Sequence, residues 1–217
     1  LVNLHTHAAM SLMRGLADDL PLMDWLQKYI WPAESANVSP QFVYDGTRLA
    51  CAEMLLGGVT CFNDMYFFPE AAATAASELG MRAMLGITTL EFPTPYASDA
   101  DDYIDKGLAV REQWRNHPLI GFCLAPHAPY TVSDASFARI LTLSEQLNLP
   151  IHCHIYETRH EVEESLQRHG ETPLARLGRL GLLGPGFIGV HAVHLEQDDL
   201  ELLAATGCSI THCPTSN

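Results

Sequence analysis

Basic residues are scarce. Only 12 Lys and Arg stand against 26 Asp and Glu, and the formal net charge of the 217-residue chain is −14. A phosphate backbone or an anionic lipid surface rewards positive charge, so neither nucleic acid nor a membrane is expected as a partner. Long apolar runs are lacking as well: no uninterrupted stretch reaches the roughly 20 residues that span a bilayer. The six cysteines (51, 61, 123, 153, 208 and 213) include no C-x-x-C pair. Several lie in apolar runs such as Gly121-Phe122-Cys123-Leu124, where a free thiol behaves as a small hydrophobe. The missing disulfide framework predicts a reducing compartment, and a cytoplasmic location is expected. No Met and no charged leader precede the first apolar residues, so no signal peptide is visible. The chain starts as if in mid-strand and stops abruptly at Cys213-Pro214-Thr215-Ser216-Asn217; both ends are expected to be cuts.

What is present is an alternation. Short apolar, β-rich runs fall at 1–5, 59–65, 82–90, 119–127, 150–157, 187–195 and 208–213. Helical patterns lie between them at 41–56, 69–79, 134–147, 157–169, 173–180 and 197–206, several ending at glycine. Strands alternating with helices predict βαβ units and a parallel sheet. His, Asp or Glu recurs at strand C-terminal ends: His5, His7, Asp64, His127, His154, Glu157, His191, His194 and His212. A (β/α)8 TIM-type barrel gathers those ends into one mouth, whereas an open sheet spreads them along an edge. The expected fold is therefore a single-domain partial (β/α)8 barrel over 1–217, with seven of its eight strands. An anomalous insert at 14–34 separates the first two strand runs and is expected to act as a lid or wall. It offers Trp25, Trp31 and Glu34, with Trp31 expected to pin the insert down.

His5 and His7 stand at i and i+2 on the first strand and so point to one side. His152 and His154 repeat the spacing on the fifth, and either can supply a third ligand; the strand-end position favours His154. Imidazoles on strand ends suit a catalytic metal with one position left open, while the absence of tight C-x₂₋₄-C pairing argues against a structural one. Glu157, expected at the start of the next helix, is placed to move a proton to and from a metal-activated water. His191 is the better candidate for orienting that water or polarising the reacting centre. His194, expected on the opposite pleat, reads as a surface or supporting group. His127, between two prolines in Pro126-His127-Ala128-Pro129, is expected to hold substrate, and Asp64 is left without a role.

HTHAAM (5–10), PIHCHIYET (150–158), GVHAVHL (189–195) and THCPTSN (211–217) together resemble the amidohydrolase superfamily. Within it they are similar to the adenosine-type and cytosine-type aminohydrolases. RGLADDLPLMDWL (14–26), WPAE (31–34) and PHAPYTVSD (126–134) are similar to the adenosine-type members. The resemblance implies that His5, His7 and His154 hold one Zn2+ per subunit, with Fe2+ or Mn2+ as alternatives. It implies Glu157 as proton shuttle, His191 as water-orienting residue, Glu34 as ribose-binding carboxylate, and Trp25 and His127 as substrate contacts, with Ser216 near the base. A homo-oligomer acting on a small-molecule nucleoside is expected.

Three departures accompany the resemblance. The family's last-strand aspartate and its terminal β-sandwich have no counterpart here, and an arginine used by some members has none in EFPTPYASDADD (91–102). The implied reaction is hydrolytic deamination of an adenosine-type nucleoside: adenosine, 5-methylthioadenosine or S-adenosylhomocysteine. One alternative is the same fold acting on another ring, as a triazine chlorohydrolase or a guanine, 8-oxoguanine or cytosine deaminase. Another is an inactive metal-binding fragment. The 217-residue chain by itself is expected to be poorly soluble or inactive.

Overall fold

The structure is a computed structural model that describes residues 1–216. Asn217, which closes the THCPTSN motif, lies outside the described residues. Among the described residues, seven strands are hydrogen-bonded in sequence order, β1 to β7. The described residues gather into two compact units, one of 1–87 with 92–122, the other of 88–91 with the residues from 123 onward.

The first unit opens with β1 (Val2–Thr6) and a 3₁₀ turn (Ala8–Met13). The insert then forms α1 (Leu22–Trp25), a π-helical turn (Leu26–Ile30) and α2 (Trp31–Asn37). After it come α3 (Pro40–Leu56), β2 (Cys61–Asp64), α4 (Pro69–Glu78), β3 (Arg82–Thr89) and α5 (Ala100–Trp114). Helix α3 starts where the Ser39 hydroxyl accepts from Phe42 N, with Pro40 in the first turn, satisfying donors that the helix itself leaves open. Residues Ala72, Ala73, Ala75 and Ala76 of α4 are all buried; their small side chains bring the helix backbone close to its neighbours. Strands β1 with β2 and β2 with β3 pair in parallel.

The second unit holds the end of β3, most of β4 (Ile120–Pro126), α6 (Asp134–Leu147), β5 (Ile151–Ile155) and α7 (Arg159–His169). It continues through α8 (Pro173–Arg179), β6 (Phe187–His191), α9 (Gln197–Thr206) and β7 (Ser209–Thr211). Ser133, Thr158 and Thr172 cap α6, α7 and α8. Every residue of β5 is buried, as expected of a parallel strand covered on both faces. Phe137, Leu174, Leu177 and Phe187 close the core, each contributing about 1.5–3 kcal/mol by leaving water.

Differences from the sequence reading are local. Helix α5 is absent from that reading, although Asp99 caps it by accepting from Asp102 N at 2.9 Å. The strands are shorter than the apolar runs, so Glu157 and His194 lie beyond β5 and β6 rather than on a helix and a strand. None of the six cysteines is in a disulfide. No helix of the described residues is long and apolar enough to cross a membrane.

Candidate active site

In the first unit, His5 ends within β1 and His7 follows it directly. Their rings meet edge to face with centroids 4.8 Å apart. The Nδ1–H of His7 donates to the Met65 carbonyl at 2.6 Å, which puts the ring's lone pair on Nε2. Burial lowers the His7 pKa, and the bond to Met65 opposes that shift. Asp64, at the end of β2, is buried and accepts from Ala8 N at 2.7 Å, bracing the segment just after His7. Burial pushes its carboxyl up to about 7, against the pull of main-chain donors from Ala8 and Met65.

Glu34 lies in the first turn of α2 and accepts a hydrogen bond from the Tyr66 hydroxyl at 2.7 Å. Burial raises its pKa, and Tyr66 partly offsets the rise. The Tyr66 ring also lies 6.4 Å from that of His7. Trp25 is half-buried on α1, while Trp31 rests against Phe92 at 6.0 Å, the pinning contact the sequence predicts.

In the second unit, His127 follows β4 immediately, and its Nδ1 pairs with the Thr131 hydroxyl at 2.9 Å. The His127 carbonyl accepts from both His154 N, at 3.0 Å, and His154 Nδ1, at 2.9 Å. That second bond fixes the His154 ring with its lone pair on Nε2, the form in which imidazole ligates a metal. His152 is fully buried deeper in β5. His154 and His191 stack with centroids 5.3 Å apart.

His191 ends β6 with φ +74°, and Ala192 N closes the turn onto the Val190 carbonyl at 3.1 Å. A three-residue turn of this hand is strained for a residue with a side chain, and such strain clusters at functional sites. His191 Nε2 lies 3.4 Å from Glu157 Oε1. Burial pushes the Glu157 carboxyl up to about 7, so it can both accept and release a proton near neutrality. His194 donates its backbone N–H to the Tyr156 carbonyl at 3.2 Å, which gives it a bracing role. Ser216 is exposed, in a turn that closes onto the Cys213 carbonyl.

Three residues escape the sequence reading. Tyr66 stands at i+2 from Asp64, a spacing that points to one side of a strand end. Thr131 stands one helical step from His127 within PHAPYT. Arg176 gives no sequence signal; it is 2% exposed and donates to Asp134 Oδ1, Pro129 O and Val132 O. Those bonds pin the loop that carries His127.

The amidohydrolase family model matches residues 1–217. A 5-methylthioadenosine/S-adenosylhomocysteine deaminase of Saccharophagus degradans is 54% identical over 217 residues, which cover 100% of this chain and 49% of that protein. Another of that name from Aquifex aeolicus is 42% identical over 215 residues, covering 99% of this chain and 50% of the relative. The crystal structure of an adenosine deaminase from Xanthomonas campestris with bound zinc superposes with a TM-score of 0.96 at 50% identity, over 99% of this chain and 49% of that one. An atrazine chlorohydrolase from Arthrobacter aurescens, complexed with zinc, shares the fold at 20% identity and a TM-score of 0.89, over 98% of this chain and 52% of its own. The chain spans about half the length of the curated relatives it matches. Its strands and helices follow the (β/α) barrel of these enzymes. The chain belongs to the amidohydrolase family.

Proposed function

We propose that the protein removes the amino group from an adenosine-type nucleoside by zinc-dependent hydrolysis, giving the inosine analogue and ammonia. The observation that carries this reading is the pairing of Glu157 Oε1 with His191 Nε2 at 3.4 Å, with the carboxyl pushed up to about 7. The names of the relatives and the zinc of the Xanthomonas enzyme support it.

His5, His7 and His154 are the metal ligands in this reading. The fit rests on chemistry: His7 and His154 each spend Nδ1 on a backbone carbonyl, which turns Nε2 into the ligand nitrogen. A zinc ion there supplies Lewis acidity, lowering the pKa of water toward ~7.

Glu157 takes a proton from the attacking water and delivers it to N1 of the purine as C6 becomes tetrahedral. A second proton transfer to the exocyclic nitrogen lets ammonia leave. His191 holds the water in line through Nε2. Glu34, braced by Tyr66, accepts hydrogen bonds from the ribose hydroxyls, and His127 and Trp25 contact the nucleoside. A ribose-binding carboxylate serves no purpose for a free base, which favours a nucleoside over the other rings.

The test uses the full-length protein. Metal content is measured together with ammonia release from adenosine, 5-methylthioadenosine, S-adenosylhomocysteine and free adenine, guanine and cytosine. The reading expects about one zinc per subunit and faster turnover of the nucleosides than of any free base. Preference for a free base overturns it.

A further inference from the structure

Glu161 stands outside every role assigned above, yet its placement is costly. It is 4% exposed, on the first turn of α7, and one carboxyl oxygen, Oε1, is buried without a hydrogen-bond partner. The other oxygen, Oε2, accepts the backbone N–H of Glu157 at 3.0 Å. The Thr158 hydroxyl in turn accepts Glu161 N at 3.3 Å. A helix needs only the threonine for its cap. A glutamate at this position of a capping box usually reaches back to the cap residue; here it reaches one residue further, to the main chain of Glu157.

The turn is held from the other side as well. Tyr156 is left-handed, with φ +54°, and its carbonyl accepts from Val193 N at 3.0 Å and His194 N at 3.2 Å. The chain therefore leaves β5 in a strained direction fixed by the segment after β6 on one flank and by Glu161 on the other. We propose that Glu161 is a positioning residue, whose hydrogen bond to the Glu157 main chain aims the Glu157 carboxyl at His191. This rests on the role given to Glu157 above.

The main chains of Tyr156 and Glu157 both oppose the rise in the Glu161 pKa as donors, so the carboxyl holds the turn at two adjacent residues. Glu157 and Glu164 act on it electrostatically, and it acts on Tyr130 from the β4–α6 loop and Cys153 from β5. Burial raises its own pKa to about 7, so its carboxyl is an acceptor whether or not it carries a proton.

The test compares full-length wild type, Glu161→Gln, Glu161→Met and Glu157→Gln, well below their melting temperatures. Gln keeps an acceptor oxygen, whereas Met keeps the bulk and removes it. E161Q is expected within about threefold of wild-type kcat, and E161M about 10–100-fold lower with KM little changed, as for a misplaced catalytic group. Both variants lose the Glu161 charge, so the pH midpoint of kcat shifts in both, and further in E161M, which also loses the hydrogen bond. In metal-free protein, amide hydrogen exchange at Glu157 is slow in wild type and E161Q and faster in E161M. If E161M does not fold, Thr158→Val, which loosens Glu161 from the backbone, must lower kcat in the same direction. An inactive E157Q beside an E161M or T158V with wild-type kcat, pH profile and exchange overturns the tether and leaves the role of Glu157 standing. An E157Q with wild-type turnover overturns that role instead.

Discussion

The carbonyl oxygen of His127 accepts two hydrogen bonds from His154, one from the backbone N at 3.0 Å and one from Nδ1 at 2.9 Å. The main chain at 127 thus orients the imidazole at 154, while the His127 side chain turns to Thr131. Backbone and side chain of one residue serve different ends.

His127→Ala separates them. The carbonyl survives the substitution, so bound metal per subunit stays at the wild-type value. The lost ring raises KM for the nucleoside by about tenfold, the effect of roughly 1.4 kcal/mol of binding. Metal analysis and steady-state kinetics on the full-length variant check both parts.

Tyr66→Phe removes the hydroxyl that holds Glu34. Without that bond the Glu34 carboxyl rises further from its ordinary pKa and loses its fixed direction. KM for nucleosides should rise several-fold, by roughly 1–2 kcal/mol, with kcat less affected. Comparing kcat and KM for the variant and wild type on adenosine checks this.

Gly46 lies where α3 meets the segment after His7. A Cβ added there would sit 2.4 Å from Ala9 O and 2.8 Å from Ala9 Cα, both backbone atoms with no rotamer to change. Gly46→Ala should cost about 1–3 kcal/mol, read as a lower urea midpoint at unchanged m-value.

Glu161 gives stability a pH dependence. Its carboxyl rises from an ordinary 4.5 to about 7 on folding, so between those values the folded state binds more protons than the unfolded one. Stability is then highest below about 4.5 and falls as pH rises through 7, by up to about 3 kcal/mol. Urea melts of the metal-free protein from pH 5 to 8 should show this slope, with Glu157 adding to it. Glu161→Gln, which cannot ionise, should reduce the slope and leave the shares of Glu157 and Asp64.

Much of this was legible in the residues. Apolar runs and glycine stops marked all seven strands, and i, i+2 histidines on parallel strands marked the ligand candidates. Helix α5 was hidden because DDYIDKGLAV carries its apolar positions among acids and a glycine. Gly107 is required there, as a Cβ would meet Ile87 Cγ2 at 2.4 Å. The positions of Glu157 and His194 were misread by two or three residues, because the apolar runs outlast the strands and continue into turns of positive φ at Tyr156, His191 and Ala192. Nothing in the sequence marked Arg176, which holds main-chain atoms far along the chain; Glu161 ends a T-x-x-E capping signature at 158–161, but its reach past the cap to Glu157 has no sequence signal.

The pair of Glu157 and His191 is the centre of the account, and Glu157→Gln in the full-length protein tests it most directly. Ammonia release from adenosine-type nucleosides and bound metal are measured on the same preparation. The expected result is a fall in kcat of about 10²–10⁴-fold, the usual contribution of a general acid–base group, with metal content unchanged. Turnover within a few-fold of wild type, at full metal content, would contradict it.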